Sequence, residues 1–441
     1  MTAEIVIMNK TAISLAADSA VTFTHQGGQK IYNTVNKLFM LSKFRPVGIM
    51  IYGAAELMGI PWESIIKTYR NDLCSKEFDT LKEYADHFLL YLAKNQTLFP
   101  ESIQIAYFQM TVYNYFIQFK NEIDLEVKKR IEQNTSVSTK DVEIIVSDIV
   151  RKHHDEWQNY PKLDLLPDGY NSIVSNKFDA VLDKIKSDVF QDLPMTPDTL
   201  AQLKQIAGNL FFKNQVQPFF SGVVFAGFGA KETFPSLVSY YVEHVLCDHL
   251  RYRNDRSFSV DLNQNSVICY FAQGEMVSTF MEGIDPAHKT TIEGYLSTIF
   301  DKYPTEIVES LPNIDPKEKD QLGEKLKGIG QNLLKDFQQK INEYRLQKHV
   351  RPVLNAVSLL PKDELAAMAE SLVNLTSFKR KVSMDAETVG GAIDVAVISK
   401  GDGFIWIKRK HYFKPELNPY FFANYYRNDS PKSDIDEKDG L

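Results

Sequence analysis

Cysteine is scarce in this sequence, and long apolar runs are absent. The three cysteines, Cys74, Cys247 and Cys269, are widely spaced and form no CxxC pair. This pattern excludes a disulfide framework and indicates a reducing compartment. No run reaches the roughly 18 apolar residues of a membrane-spanning helix, and the first residues lack the basic and apolar regions of a signal peptide. We therefore expect a cytoplasmic protein with no membrane contact.

An excess of basic residues is also missing. The net charge is −7 and the isoelectric point is about 5.8, so the sequence offers no broad basic surface for nucleic acid. In contrast, 44% of the 441 residues are hydrophobic, which is enough for a large core in two or three units.

No motif indicates a cofactor or a metal. The run His153–Glu156 has the composition of a metal site, but adjacent helical residues point about 100° apart, so a solvated helix face is expected. His244, Cys247 and His249 alternate between the two faces of a strand end. The glycines around Phe228 precede no helix with a third glycine and indicate a turn.

The start of the chain carries the most informative pattern. Two short apolar runs on either side of Asn9–Thr11 predict a β-hairpin. Removal of Met1 would give Thr2 both a hydroxyl and a free α-amine, whose ordinary pKa is about 7.7–8.0. A hydroxyl beside its own backbone base is an activated nucleophile. The alternative is that Thr2 is an ordinary residue of a fraying terminus.

Three further stretches, together with Thr2, resemble the proteasome β-subunit family of N-terminal-nucleophile hydrolases. They are Leu15–Ser19, Asn36–Leu41 and Ile49–Glu56. Two other stretches resemble the central hairpin and the C-terminal Asp…Ser-Gly-Gly element of that family; they are Val223–Gly229 with Phe234–Leu237, and Asp385–Gly391.

The resemblance implies a role for four residues. Thr2 would be the nucleophile and, through its α-amine, the general base. Lys37 would lower the pKa of that amine, Asp18 would pair with Lys37, and the backbone N–H of Gly53 would stabilise the oxyanion. Lys30 is the rival lysine, in a polar loop. Each residue also has an ordinary alternative, as a strand-end carboxylate, a surface lysine or a turn glycine.

Two positions depart from the family pattern. Gln273-Gly274-Glu275 stands where the family has Gly-Ser, and a carboxylate there would raise the pKa of the Thr2 amine. Val389 replaces the serine before Gly390, and Asp385 is displaced by one residue, which leaves Glu387 or Thr388 to substitute for the missing group.

The resemblance implies an α/β (α+β) fold: a four-layer αββα sandwich of two antiparallel sheets with two large helical insertions. Within it we predict a loop at Thr22–Lys30, separate helices at Ile105–Gln118 and Glu122–Gln133, and a solvated loop carrying three arginines, Arg251, Arg253 and Arg256. The expected divisions are a core in three parts (1–95, 216–301 and 351–413), helical insertions at 96–215 and 302–350, and a tail at 414–441.

The implied function is a threonine-type hydrolase of amide or peptide bonds that needs no cofactor and no metal. Its partners would be a peptide or protein substrate and further copies of the chain in a homo-oligomer, with room for an ATPase or other regulatory partner that the sequence does not identify. The alternative is a catalytically inactive scaffold or assembly subunit of the same fold.

Overall fold

The computed structural model describes residues 2–25, 28–133, 137–215, 219–312, 315–383 and 389–426. The protein belongs to the α+β class and contains two five-stranded antiparallel sheets. In spatial order, the first sheet consists of β12 (Ser266–Ala272), β1 (Ala3–Asn9), β2 (Ile13–Ala17), β13 (Asp394–Ser399) and β14 (Gly403–Lys408). The second consists of β11 (His249–Ser259), β10 (Ser236–Leu246), β9 (Ser221–Gly227), β6 (Val47–Gly53) and β5 (Leu38–Met40).

The two sheets pack face to face. In β1, alternate residues face opposite sides, so Val6 and Met8 lie between the sheets while Ile5 and Ile7 face helices. Every residue of β1 is buried. The outer face of the first sheet is covered by α8 (Glu275–Glu282), α11 (Arg351–Val357) and α12 (Lys362–Val382), and that of the second by α1 (Trp62–Leu73) and α2 (Leu81–Lys94). The result is a layered arrangement in which β1 is an interior strand, paired with β12 on one side and β2 on the other.

The prediction of a loop at Thr22–Lys30 is wrong. The described residues of this segment belong to an antiparallel hairpin of β3 (Val21–His25) and β4 (Gly28–Tyr32). The β-branched and aromatic residues on both sides of the glycines favour extended backbone. The two strands therefore run further towards the turn than the polar composition of the segment predicts. A second small hairpin pairs β7 (Glu56–Leu57) with β8 (Ile60–Pro61).

Between α2 and β9 the described residues form five further helices. They are α3 (Glu101–Gln133), α4 (Thr139–Asn159), α5 (Tyr170–Lys177), α6 (Asp179–Phe190) and α7 (Pro197–Phe212). They enclose a separate core with Phe108, Phe116 and Leu203 at 0% exposure. The two helices predicted at Ile105–Gln118 and Glu122–Gln133 are one continuous helix, because no proline or glycine separates them.

The prediction of a solvated loop for the three arginines is also wrong, because all three lie on β11. Arg251 is fully buried, and its Nε lies 2.7 Å from a carboxylate oxygen of Glu243 on β10. Its other nitrogens donate to the carbonyls of Leu210 (2.7 Å) and Lys213 (2.8 Å) at the end of α7. Arg251 therefore links the end of α7 to the second sheet through partners that are distant in sequence.

A long helical hairpin follows α8. It consists of α9 (Pro286–Ser310) and α10 (Pro316–Arg345), so the predicted boundary at residue 302 falls inside a helix. The helix begins earlier because the Asp285 side chain accepts hydrogen bonds from two backbone N–H groups of its first turn and Pro286 suits the first helical position. A π-helical turn (Leu346–Val350) leads into α11.

The last described element is α13 (Pro419–Tyr426), after a 3₁₀ turn at Pro415–Leu417. Of the helices in the described part of the chain, none combines the length and apolar character that crossing a membrane requires.

Candidate active site

Thr2 directly precedes β1, an interior strand of the first sheet. Its carbonyl accepts a hydrogen bond of 3.0 Å from the backbone N–H of Gln273, which extends the pairing of β1 with β12. Because side chains alternate along a strand, Thr2 and Glu4 share the face that carries Val6 between the sheets. Thr2 is 5% exposed, so it lies where the space between the two sheets ends.

Asp18 directly follows β2 and connects three parts of the chain. Its Oδ1 accepts hydrogen bonds from the backbone N–H of Ala3 (3.1 Å) and from Nζ of Lys37 (2.6 Å). Its Oδ2 accepts from the backbone N–H groups of Ala20 (3.2 Å) and Gly390 (3.0 Å). The buried carboxylate therefore has four donors, one of which belongs to the residue after Thr2.

Lys37 directly precedes β5 and reaches across to the first sheet. Its side chain is 5% exposed and forms a buried ion pair with Asp18. Burial lowers the pKa of the Lys37 ammonium, while the neighbouring Asp18 carboxylate opposes that shift. The Lys37 carbonyl accepts a hydrogen bond of 2.9 Å from the N–H of Ile51, so β6 holds the lysine backbone in place. The structure thus brings Asp18 and Lys37 together beside the Thr2–Ala3 segment.

Glu4 is a site residue that the sequence analysis missed. It is fully buried, and neither carboxylate oxygen has a hydrogen-bond partner among the described residues. Burial raises the pKa of Glu4 to about 8; the Lys37 charge lowers it and the Asp18 charge raises it further. The usable signal was a lone acidic residue on the same strand face as Val6 and Met8, because such a residue must enter the core.

Gly53 ends β6 and has a positive φ of 81°. A Cβ atom there would lie 2.6 Å from the carbonyl oxygen of Phe220, so both the backbone angle and the space require glycine. Gly53 pairs with Ser221 of β9 and lies two residues beyond Ile51, whose N–H contacts Lys37. Gly53 therefore lies on the strand that holds the lysine backbone, and among the described residues no hydrogen bond joins it to Asp18 or Lys37.

Lys30, the alternative to Lys37, does not contact Asp18. Lys30 is exposed on β4, and its Nζ lies 5.0 Å from the centre of the Tyr32 ring. It makes no ion pair with Asp18, whose partner is Lys37.

The two positions that depart from the family pattern, Glu275 and Val389, lie in different surroundings. Glu275 begins α8, is 55% exposed at its side chain, and pairs with Lys379 (3.4 Å) and Arg380 (4.0 Å) on α12. Glu4, by contrast, is a buried carboxylate that interacts electrostatically with Lys37. Val389 is buried, and the backbone of the next residue, Gly390, contacts both Asp18 and Ser19. Asp385, Glu387 and Thr388 lie outside the described residues.

The described ranges contain no candidate metal site, since no group of three or more His, Cys, Asp or Glu side chains there could hold a metal ion. The solvated face predicted for His153–Glu156 is wrong for His153, which is buried. Its ring stacks on Phe119 at 4.2 Å, and its Nε2 lies 3.1 Å from Glu122, so packing against α3 explains its burial.

Comparison with known proteins adds no functional information. No protein-family model and no curated protein matches the sequence. The function must therefore be inferred from the residues and geometry of this chain.

Proposed function

We propose that this protein is a threonine-type amide hydrolase of the N-terminal-nucleophile class, acting on peptide or protein substrates in the cytoplasm. The mature chain would begin at Thr2, and the two packed sheets with their helix layers would form the αββα sandwich of that class. The observation that carries the proposal is the buried Asp18–Lys37 ion pair, which also binds the N–H of Ala3, one residue from Thr2.

The proposed reaction is an acyl transfer through Thr2. The neutral α-amine takes the hydroxyl proton while Oγ attacks the carbonyl carbon of the amide, and the backbone N–H of Gly53 is the proposed donor to the oxyanion. The ammonium formed at the terminus then gives that proton to the leaving nitrogen as the C–N bond breaks. Water hydrolyses the resulting ester, which restores the hydroxyl of Thr2.

Lys37 and Glu4 would set the charge around the amine. The Lys37 ammonium, held by Asp18, lowers the pKa of the amine and keeps it available as a base. Glu4 is mainly protonated near pH 7 because its pKa is raised to about 8, so it adds little negative charge. Ionised Glu4 would raise the pKa of the amine and oppose the reaction.

Covalent labelling tests the proposal. The wild-type chain, Thr2→Ala, Thr2→Ser and the control Thr11→Ala are treated with an electrophilic threonine-protease inhibitor. Intact-mass and peptide analysis then show whether Met1 is absent and where the label lies. Thr11 lies at the opposite end of the same hairpin, beyond β1.

We expect a label on Thr2 in the wild type and in Thr11→Ala, a slower label in Thr2→Ser, and none in Thr2→Ala. The Thr2→Ala protein should remain folded, because the change removes only a hydroxyl and a methyl group at a strand end. A label that survives Thr2→Ala, or that lies on another residue, would contradict the threonine mechanism.

A second candidate is a catalytically inactive scaffold of the same architecture. The observation that favours it is the closed character of the site, where Thr2 is 5% exposed and the fully buried Glu4 carboxylate has no hydrogen-bond partner in the described part of the chain. A chain from which Met1 has been removed, but which takes no label over the whole pH range, would support the scaffold and exclude the hydrolase.

A further inference from the structure

The helical hairpin of α9 and α10 exposes apolar side chains along both helices. On α9 they recur every three or four residues and therefore share one helix face. The exposed residues are Ile292, Tyr295, Ile299 and Tyr303 on α9, and Ile329, Leu333, Phe337, Ile341 and Tyr344 on α10, with exposed fractions from 38% to 68%. Both helices are described throughout, and their only buried residues are Pro304, Val308 and Gly330.

The exposed apolar area is large for a surface without a partner. With about 200 Å² for each fully exposed large side chain, these residues present roughly 900 Å² of surface per chain. The largest apolar patch of a typical monomer is about 300–600 Å², while a stable interface buries about 800 Å² from each partner. The hairpin therefore carries enough apolar surface for a complete protein interface.

The charges of the two helices are complementary. In α9, four acidic residues outnumber two basic ones, which gives a net charge of −2 when His288 is neutral. In α10, seven basic residues outnumber five acidic ones, which gives +2. Consider a second hairpin related to the first by a two-fold axis that runs parallel to the helix axes. This symmetry would place each α9 beside the α10 of the other chain. Both new contacts would then join an acidic helix to a basic one.

We propose that the hairpins of two copies of this chain associate as an antiparallel four-helix bundle, with α9 of each copy against α10 of the other. A two-fold axis makes the two contacts identical, so the same surface serves both partners. Within one hairpin, Gly330 lies against Phe300: a Cβ atom at residue 330 would be only 3.3 Å from Cδ1 of that ring, so the helices already approach closely there. Neighbouring helices in such a bundle run antiparallel with short connections, as α9 and α10 do.

Sedimentation velocity of the full chain, from about 1 to 50 μM, tests this interface. The variant Leu333→Lys/Phe337→Lys places charges in the apolar row of α10. Its matched control is Leu90→Lys/Leu359→Lys, at exposed leucines outside the hairpin. We expect a dimer or higher oligomer for the wild type and the control, and a dissociation constant raised by about 100-fold in the hairpin variant.

A charge-exchange experiment tests which helices meet. One chain carries Asp301→Lys/Glu306→Lys on α9, and another carries Lys325→Glu/Lys327→Glu on α10. We expect each chain alone to associate weakly and an equimolar mixture to associate strongly, because only the mixed pair has opposite charges at both contacts. Circular dichroism checks that the helix content of each variant is unchanged.

A wild-type chain that remains monomeric at 50 μM would overturn the proposal. Association that persists in Leu333→Lys/Phe337→Lys would place the interface elsewhere, and an equimolar mixture no stronger than its components would exclude the α9–α10 pairing. None of these outcomes depends on whether Thr2 is reactive.

Discussion

Replacing Lys37 with methionine is expected to lower the free energy of unfolding by about 3–5 kcal/mol and to abolish labelling of Thr2. The change removes the 2.6 Å partner of Asp18 and leaves the buried carboxylate without its counter-charge. Backbone N–H groups of Ala3, Ala20 and Gly390 would remain as hydrogen-bond donors, but they carry no net charge. Urea denaturation measures the stability, and inhibitor labelling measures the reaction.

The double variant Asp18→Asn/Lys37→Met separates the two effects. Because it removes both buried charges, it should recover part of the stability lost in Lys37→Met while remaining unreactive. Lys30→Met is the matched control, because Lys30 is exposed and lies outside the ion pair. If Lys37→Met labels at the wild-type rate, Lys37 has no part in activating Thr2, whatever its contribution to folding.

Ionisation of Glu4 is expected to make the protein less stable as the pH rises from about 5 to 8. Its pKa is raised from 4.5 to about 8 in the folded state, so between these values the folded chain holds a proton that the unfolded chain has lost. The stability linked to Glu4 therefore falls as the pH rises through this window. A difference of this size corresponds to roughly 4–5 kcal/mol once the pH exceeds the folded pKa.

Glu4→Gln isolates this contribution. Glutamine resembles the protonated carboxyl in shape, so the variant should match the wild type near pH 5 and exceed it in stability at pH 8. The lowered pKa of Lys37 has the opposite sign, because the unfolded chain then binds the extra proton, and its effect lies below the ordinary lysine value of 10.5. Parallel pH profiles for the wild type and Glu4→Gln between pH 5 and 8 would refute the role assigned to Glu4.

Local patterns predicted much of the central architecture. The apolar runs around Asn9–Thr11 form the hairpin of β1 and β2, and the block around Val223 forms β9, which pairs with β10. The α+β class follows from these strands and from the helical periodicity between them. Asp18 and Lys37 lie at strand boundaries that the sequence marks, so their proximity follows once the sheets are packed.

The features that were missed depend on contacts distant in sequence. Burial of Glu4 depends on the second sheet, which covers the face that Glu4 shares with Val6. Burial of Arg251 depends on Glu243 and on carbonyls at the end of α7, none of which is visible in the local arginine pattern. The continuous helix α3 was divided because its helical periodicity is interrupted by charged residues, although nothing in its backbone chemistry breaks it.

The position of β1 between two neighbouring strands has a consequence for synthesis of the protein on the ribosome. The strand needs partners on both sides, and β12 leaves the ribosome roughly 260 residues after β1, which takes about 13–52 s at 5–20 residues per second. During that interval the beginning of the chain cannot occupy its final place between two neighbours. The free edge of β1 and the adjoining Thr2 therefore stay accessible to other proteins until β12 pairs with β1 and encloses them.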